Sequence, residues 1–176
     1  ALRIPGFSSW NPPHEYTSEV ARGKHIVLTT TNCTRILEKC RQIPSCSDVL
    51  IGAFLNATSV SESAMRLGKE RNSGISIIQA GVSGDPSQDD LTCAELIKTM
   101  IESRTKRRPI HSFQGDTNLL LYMILSNTGH GKRLIRMGFA RDVDYCSRLD
   151  TTTTVPKLLK VDKTSAKIVK AENHNG

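Results

Sequence analysis

Three short apolar runs, each followed by a stretch of helical period, occupy the first two thirds of the chain and leave few architectures open to it. Residues 25–30, 48–55 and 74–80 read as strands, and residues 34–42, 59–71 and 88–103 as the helices that follow them. Such a βαβαβα alternation implies crossovers that return each strand parallel to the last, with helices covering both faces. The expected fold class is therefore α/β: a three-layer α/β/α arrangement with a mainly parallel sheet. Upstream, residues 1–13 hold several proline and glycine residues and lead into a helix over 14–22. Downstream, helices are expected over 117–127 and 131–137, a further helical turn over 142–149, and a C-terminal β-hairpin with strands at 155–161 and 166–170. At 176 residues the chain is sized for one hydrophobic core. It reads as a single α/β domain over 1–176, with 151–176 as a small β appendage.

In a parallel sheet, ligands gather beyond the carboxyl ends of the strands. Three loops lie there, and all are rich in small polar residues or glycine. The first, Thr29-Thr30-Thr31-Asn32-Cys33-Thr34, joins an apolar strand to a helix start, where unpaired N–H groups and the helix dipole favour an anion. Thr31 or Asn32 serves equally well as a plain helix cap. The second, residues 54–59, contains Asn56. The third runs from Gly81 to Asp90 and carries Asp85, Asp89 and Asp90. Asp85, Asp89 and Asp90 could hold a hard cation such as magnesium, which prefers one or two carboxylates with water and substrate oxygens; Asp89 and Asp90, as first-turn acids, also simply favour a helix N-terminus. His130, between Gly129 and Gly131, is a candidate general acid or a plain turn residue. Asp142 and Asp144 are weaker metal candidates.

Bulk properties narrow the partners. The formal net charge is +7, with basic clusters at Lys106, Arg107 and Arg108 and at Lys132, Arg133 and Arg136. Neither cluster is interleaved with aromatic rings, which argues for solvated surfaces over nucleic-acid binding. Cysteines 33, 40, 46, 93 and 146 form no CxxC pair, so a reduced, cytoplasmic setting without a disulfide framework is expected. No apolar run reaches the roughly 20 residues that span a bilayer, and no membrane partner is expected. The Gly81-Val82-Ser83-Gly84 string is too short for a dinucleotide fingerprint.

Taken in order, several strings resemble those of the 2-phosphosulfolactate phosphatase family. They are Gly6-Phe7, Asn11-Pro12-Pro13-His14-Glu15-Tyr16 and Gly23 to Arg35; then Gly52 to Ala57, Ala80-Gly81, Ser87 to Asp90 and Cys93-Ala94; finally Gly131 to Leu134, Gly138-Phe139 and Asp142 to Cys146, ending at Val155-Pro156. The resemblance implies magnesium-dependent hydrolysis of a small phosphate monoester such as 2-phosphosulfolactate, on the route to coenzyme M. On that basis Thr30, Thr31, Asn32 and Thr34 are expected to cradle the phosphate, with Cys33 among them and Asn56 and Gly81 lining the same crevice. Asn32, Thr31 and His130 would serve catalysis, and Asp89 and Asp90 would hold magnesium. Cys33 stands where the family typically has glycine, and the family's opening Asp-Val-Leu-Arg-Ala-Thr-Thr-Thr string is not found. The chain thus resembles the later two thirds of the family's length, with a homo-oligomer or a complementing N-terminal segment as expected partner. A non-catalytic anion- or sugar-phosphate-binding module is the alternative.

Overall fold

Helix α3 (Ala57–Glu70) packs against helix α4 (Gln88–Thr105), and this pair forms the centre of the molecule in the computed structural model. The structure describes residues 5–6, 12–30, 32–82, 84–106, 116–161 and 166–171. Ala57 and Val60 of α3 meet Ile97 and Met100 of α4, and Val155 and Ala171 close this cluster from the C-terminal segment. The approach is close: a Cβ at Gly52 would stand 2.9 Å from Ile97 Cδ1. A second cluster joins Phe54, Leu121, Leu125 and Val143, so that α5 (Thr117–Asn127) and α7 (Ala140–Cys146) pack beside the first, with α6 (Gly129–Arg136) between them in the chain. Cys93, Leu96 and Leu149 touch both clusters and make them one core.

The N-terminal helix expected over 14–22 is broken in two. A 3₁₀ turn, Pro13–Glu15, is followed by a short α1, Ser18–Ala21. Thr17 separates them, because its extended backbone and a side-chain bond from the Val20 N–H start a new helix. Helix α2 spans Cys33–Arg41. At the other end, β1 (Pro156–Val161) and β2 (Ala166–Lys170) form the expected antiparallel hairpin, with a register irregularity between Leu158 and Lys160.

The parallel sheet is a different matter. Among the described residues the only sheet is that hairpin. Residues 25–30 and 74–80 carry no ladder, and residues 48–55 contribute an isolated antiparallel bridge, Leu50 with Lys157. The described residues therefore show α/β with helices and one small antiparallel hairpin, and do not show three paired parallel strands. The physical reason is that periodicity marks a segment able to enter a sheet, while pairing needs a neighbouring strand. Val27 is left 80% exposed, and Ile26, Leu28, Ile75, Ile77 and Ile78 are exposed with it. No helix among the described residues is long and apolar enough to cross a membrane.

Candidate active site

The chain turns back at Val82 and Asp85 before α4 begins at Gln88. Gly81 has a φ of +69°, and a Cβ there would lie 2.4 Å from the Asp85 carbonyl oxygen, so the position requires glycine. Val82 and Asp85 exchange backbone hydrogen bonds at 2.9 and 3.0 Å, closing a tight turn. The Gly81 N–H donates to Asp90 Oδ2 at 2.8 Å, which ties this turn to the start of α4. Asp89 is held on both sides: the Ser87 hydroxyl donates to its Oδ1, and His130 Nδ1 lies 2.9 Å from its Oδ2.

His130 reaches this place from the start of α6. The hydroxyl of Thr128 donates to the Leu125 carbonyl at 2.9 Å and accepts from the Gly131 N–H at 2.9 Å, so one side chain ends α5 and begins α6. The bend between them leaves no room for a side chain at Gly131, whose Cβ would fall 1.9 Å from the Leu125 carbonyl oxygen. The ring of His130 is thereby fixed with Nδ1 toward Asp89, and its Nε2 has no partner among the described residues.

Electrostatics set the two neighbouring carboxyls apart. Burial pushes the Asp89 carboxyl up, but the Ser87 and His130 hydrogen bonds and a backbone N–H outweigh it and hold the group below its ordinary value. Asp90 is pushed up, first by burial and further by the charge of Asp89, against the opposing Gly81 N–H. Asp90 also reaches two thiols. Burial raises Cys33, with the charges of Asp90 and Cys40 adding to it; burial, with Asp90 behind it, raises Cys93 to about 12. A thiol shifted in this direction is a poor candidate for a thiolate nucleophile.

The structure gathers Gly81, Asp89, Asp90 and His130 at the starts of α4 and α6, where helix N–H groups favour an anion and the two carboxylates oppose it; Cys33 opens α2, within the electrostatic reach of Asp90. Thr30 and Thr34 adjoin it but satisfy each other: the Thr34 N–H reaches Thr30 Oγ1 at 3.4 Å, and the Thr34 hydroxyl donates to the Thr30 carbonyl at 2.9 Å. Asn32 is the N-cap residue of α2 without a side-chain capping bond. Thr31 lies outside the described residues.

Asn56 does not line the crevice. It is 4% exposed, and its carboxamide accepts from the Ala53 N–H at 2.8 Å and donates to the carbonyls of Ile51 at 3.2 Å and Thr154 at 3.0 Å. The start of α3 beside it is already served, because the Asp150 carboxylate accepts from the N–H and hydroxyl of Thr58 at 2.8 and 2.6 Å. Sequence reasoning missed Asp150 and Ser87, the latter despite the Ser-x-Asp spacing that puts its hydroxyl within reach of Asp89. It also placed Asp142 among metal candidates, whereas that carboxylate meets His14 at 2.8 Å.

No group of three or more His, Cys, Asp or Glu side chains that could hold a metal occurs among the described residues. A closed protein cage for a cation is therefore not formed there. An open magnesium site needs less, one or two carboxylates with water and substrate oxygens. Asp89 and Asp90 supply that number of carboxylates, and a cation beside them would offset the burial and the neighbouring charge that raise Asp90.

Comparison with known proteins assigns the chain to a family. The chain is 32% identical over 162 residues to a protein of Clostridium acetobutylicum named "Probable 2-phosphosulfolactate phosphatase", covering 89% of this chain and 66% of that protein. Proteins of the same name from Thermotoga maritima (32% identity, 90% of this chain, 67% of that protein) and Deinococcus radiodurans (30%, 94% and 69%) agree. The 2-phosphosulpholactate phosphatase family profile matches residues 1–160, and the chain belongs to that family. It spans about two thirds of the length of the curated relatives it matches.

Proposed function

We propose that this chain carries the active centre of a magnesium-dependent phosphatase acting on a small phosphate monoester such as 2-phosphosulfolactate. The observation that carries the reading is the Asp89–His130 pair at 2.9 Å, beside Asp90 and bridging 41 residues of sequence. Asp89 fixes the imidazole so that Nε2 faces outward, where it gives a proton to the ester oxygen as the P–O bond breaks and a water oxygen bonds to phosphorus. The first turn of α2, with Thr30, Thr31, Asn32 and Thr34 at its entry, holds the phosphoryl oxygens, the Thr34 N–H by giving up its 3.4 Å bond to Thr30. Gly81 gives that group access to the start of α4, and Cys33 narrows the entry. Magnesium, held by Asp89 and Asp90, would offset negative charge on the phosphoryl oxygens.

In this reading residues 25–30, 48–55 and 74–80 are strands of a parallel sheet in the active enzyme. The exposed apolar side chains of Ile26, Val27, Leu28, Ile75, Ile77 and Ile78 support that placement.

The test is release of inorganic phosphate from 2-phosphosulfolactate and a panel of simple phosphomonoesters, with magnesium and with a chelator. Release that needs magnesium supports the enzyme. Folded chain that binds phosphate without turnover identifies a binding module instead.

A further inference from the structure

A cleft of about 340 Å³ lies between the Pro13–Glu15 turn and α7, and it shares no residue with the Asp89–His130 centre. Its walls come from two strings that the proposed reaction leaves unused, residues 13–17 and 141–148. Helix α7 turns Val143 and Ser147 into the protein, at 5% and 1% exposure. Arg141, Asp144, Tyr145 and Arg148 recur at the helical spacing i, i+3, i+4 and i+7 and form the opposite stripe. Arg141, Asp144 and Arg148 of this stripe are exposed and Tyr145 is half-buried. Here Pro13, His14, Tyr16 and Thr17 stand over it, and the 2.8 Å contact from His14 Nδ1 to Asp142 Oδ1 fixes the two walls across 128 residues of sequence.

Charge accounting identifies what the cleft would hold. Arg148 Nη2 donates to Asp144 Oδ2 at 2.7 Å, and its guanidinium lies 5.8 Å from the centroid of the Tyr145 ring, restraining both side chains. Asp142 is engaged by His14. Arg141 is left with no carboxylate partner among the described residues, and the Tyr145 hydroxyl has no hydrogen-bond partner among them either. Thr17 accepts from the Val20 N–H through its oxygen, so its hydroxyl proton is available to donate. An uncompensated guanidinium with hydroxyl donors beside it matches an oxyanion, and a guanidinium binds carboxylate, sulfonate or phosphate oxygens two at a time. At roughly 30 Å³ per water, the space corresponds to about ten waters, enough for a charged group on a short organic body.

We propose that this cleft is a second binding site, for a small oxyanion, with Arg141 as its anchoring residue. The inference does not depend on the phosphatase reading. It is tested by titrating the ¹⁵N-labelled chain at constant ionic strength, balanced with chloride, with inorganic phosphate, methanesulfonate and lactate in separate series. Saturable shifts are expected at amides 14–17 and 141–148 with at least one of the three, and the series that saturates names the charged group. Arg141→Ala is expected to weaken that binding at least tenfold, Arg141→Lys less so, and Asp89→Asn to leave it unchanged. Arg141 is exposed, so both variants are expected to fold, and the same spectra report it. Absence of saturable shifts at those amides in all three series, or an unchanged Kd in Arg141→Ala, overturns the proposal.

Discussion

Asp89 and Asp90 are adjacent in sequence and opposite in environment, and this difference governs what their substitution should do. Asp89 is held ionised by Ser87 and His130, so Asp89→Asn is expected to release the His130 ring and lower kcat about a hundredfold or more, the scale of a lost general acid. Asp90 is strained as a charge by burial and by its neighbour. Asp90→Asn keeps an oxygen for the Gly81 N–H while removing that charge. In chelator at neutral pH it should raise unfolding stability while abolishing magnesium-dependent turnover, a trade found at functional sites. Denaturant unfolding and phosphate release on the same sample check both. The two acids and His130 were legible as candidates, because an acidic loop before a helix and a glycine-flanked histidine stand out. Their coupling was not, since Asp89 and His130 lie 41 residues apart and only the turn at Thr128 brings them together. Asn56 was misread for the complementary reason: nothing local to a small polar residue tells whether its amide meets ligand or backbone, and here it binds backbone from three separate places.

At the scale of elements, the turn between α5 and α6 does the positioning. Thr128→Ala removes a cap bond at each side of the turn and is expected to cost about 1 kcal/mol by denaturant unfolding. Its effect on kcat should exceed its effect on KM, because the ring it places acts on the leaving oxygen. Gly131→Ala sets a methyl group against the Leu125 carbonyl and is expected to cost more, about 2–4 kcal/mol, with loss of the α5–α6 bend. Helices α3, α4 and α5 were readable within a residue or two because apolar periodicity and end signals lie within each segment. The start of α6 was set too late in the sequence reading. Two glycines around His130 looked like a turn, yet the Thr128 cap draws both into the first turn of the helix. The 14–22 helix failed in the opposite sense, since Thr17, an internal capping residue, divides it.

For the molecule as a whole, the C-terminal hairpin is joined to the N-terminal half through Asp48. Burial raises this carboxyl, but Lys157 from β1 and Arg71 from the end of α3 outweigh burial and lower it; Lys157 Nζ stands 2.6 Å from Asp48 Oδ1. A folded-state value below the unfolded one stabilises the fold above the unfolded value of about 3.9 and is lost as pH falls through the folded one. Thermal unfolding midpoints should therefore drop below about pH 4, and Asp48→Asn should lower the neutral-pH midpoint and flatten that drop. The overall α/β class was legible in the sequence, while the described residues do not pair the three expected strands. Residues 25–30 and 74–80 have strand composition, but a strand exists only beside another, and that relation is written in no single segment. The hairpin was readable because its two strands are close in sequence and serve each other.

Turnover by the Asp89–His130 couple is the claim on which this account rests. A double-mutant cycle on phosphate release from 2-phosphosulfolactate, using Asp89→Asn, His130→Ala and the double variant, tests it most directly. The two substitutions are expected to be non-additive on kcat, the double variant losing less than the product of the single losses, because part of what the carboxylate does passes through the ring. Losses that multiply independently, or a His130→Ala enzyme with unchanged kcat, would contradict it.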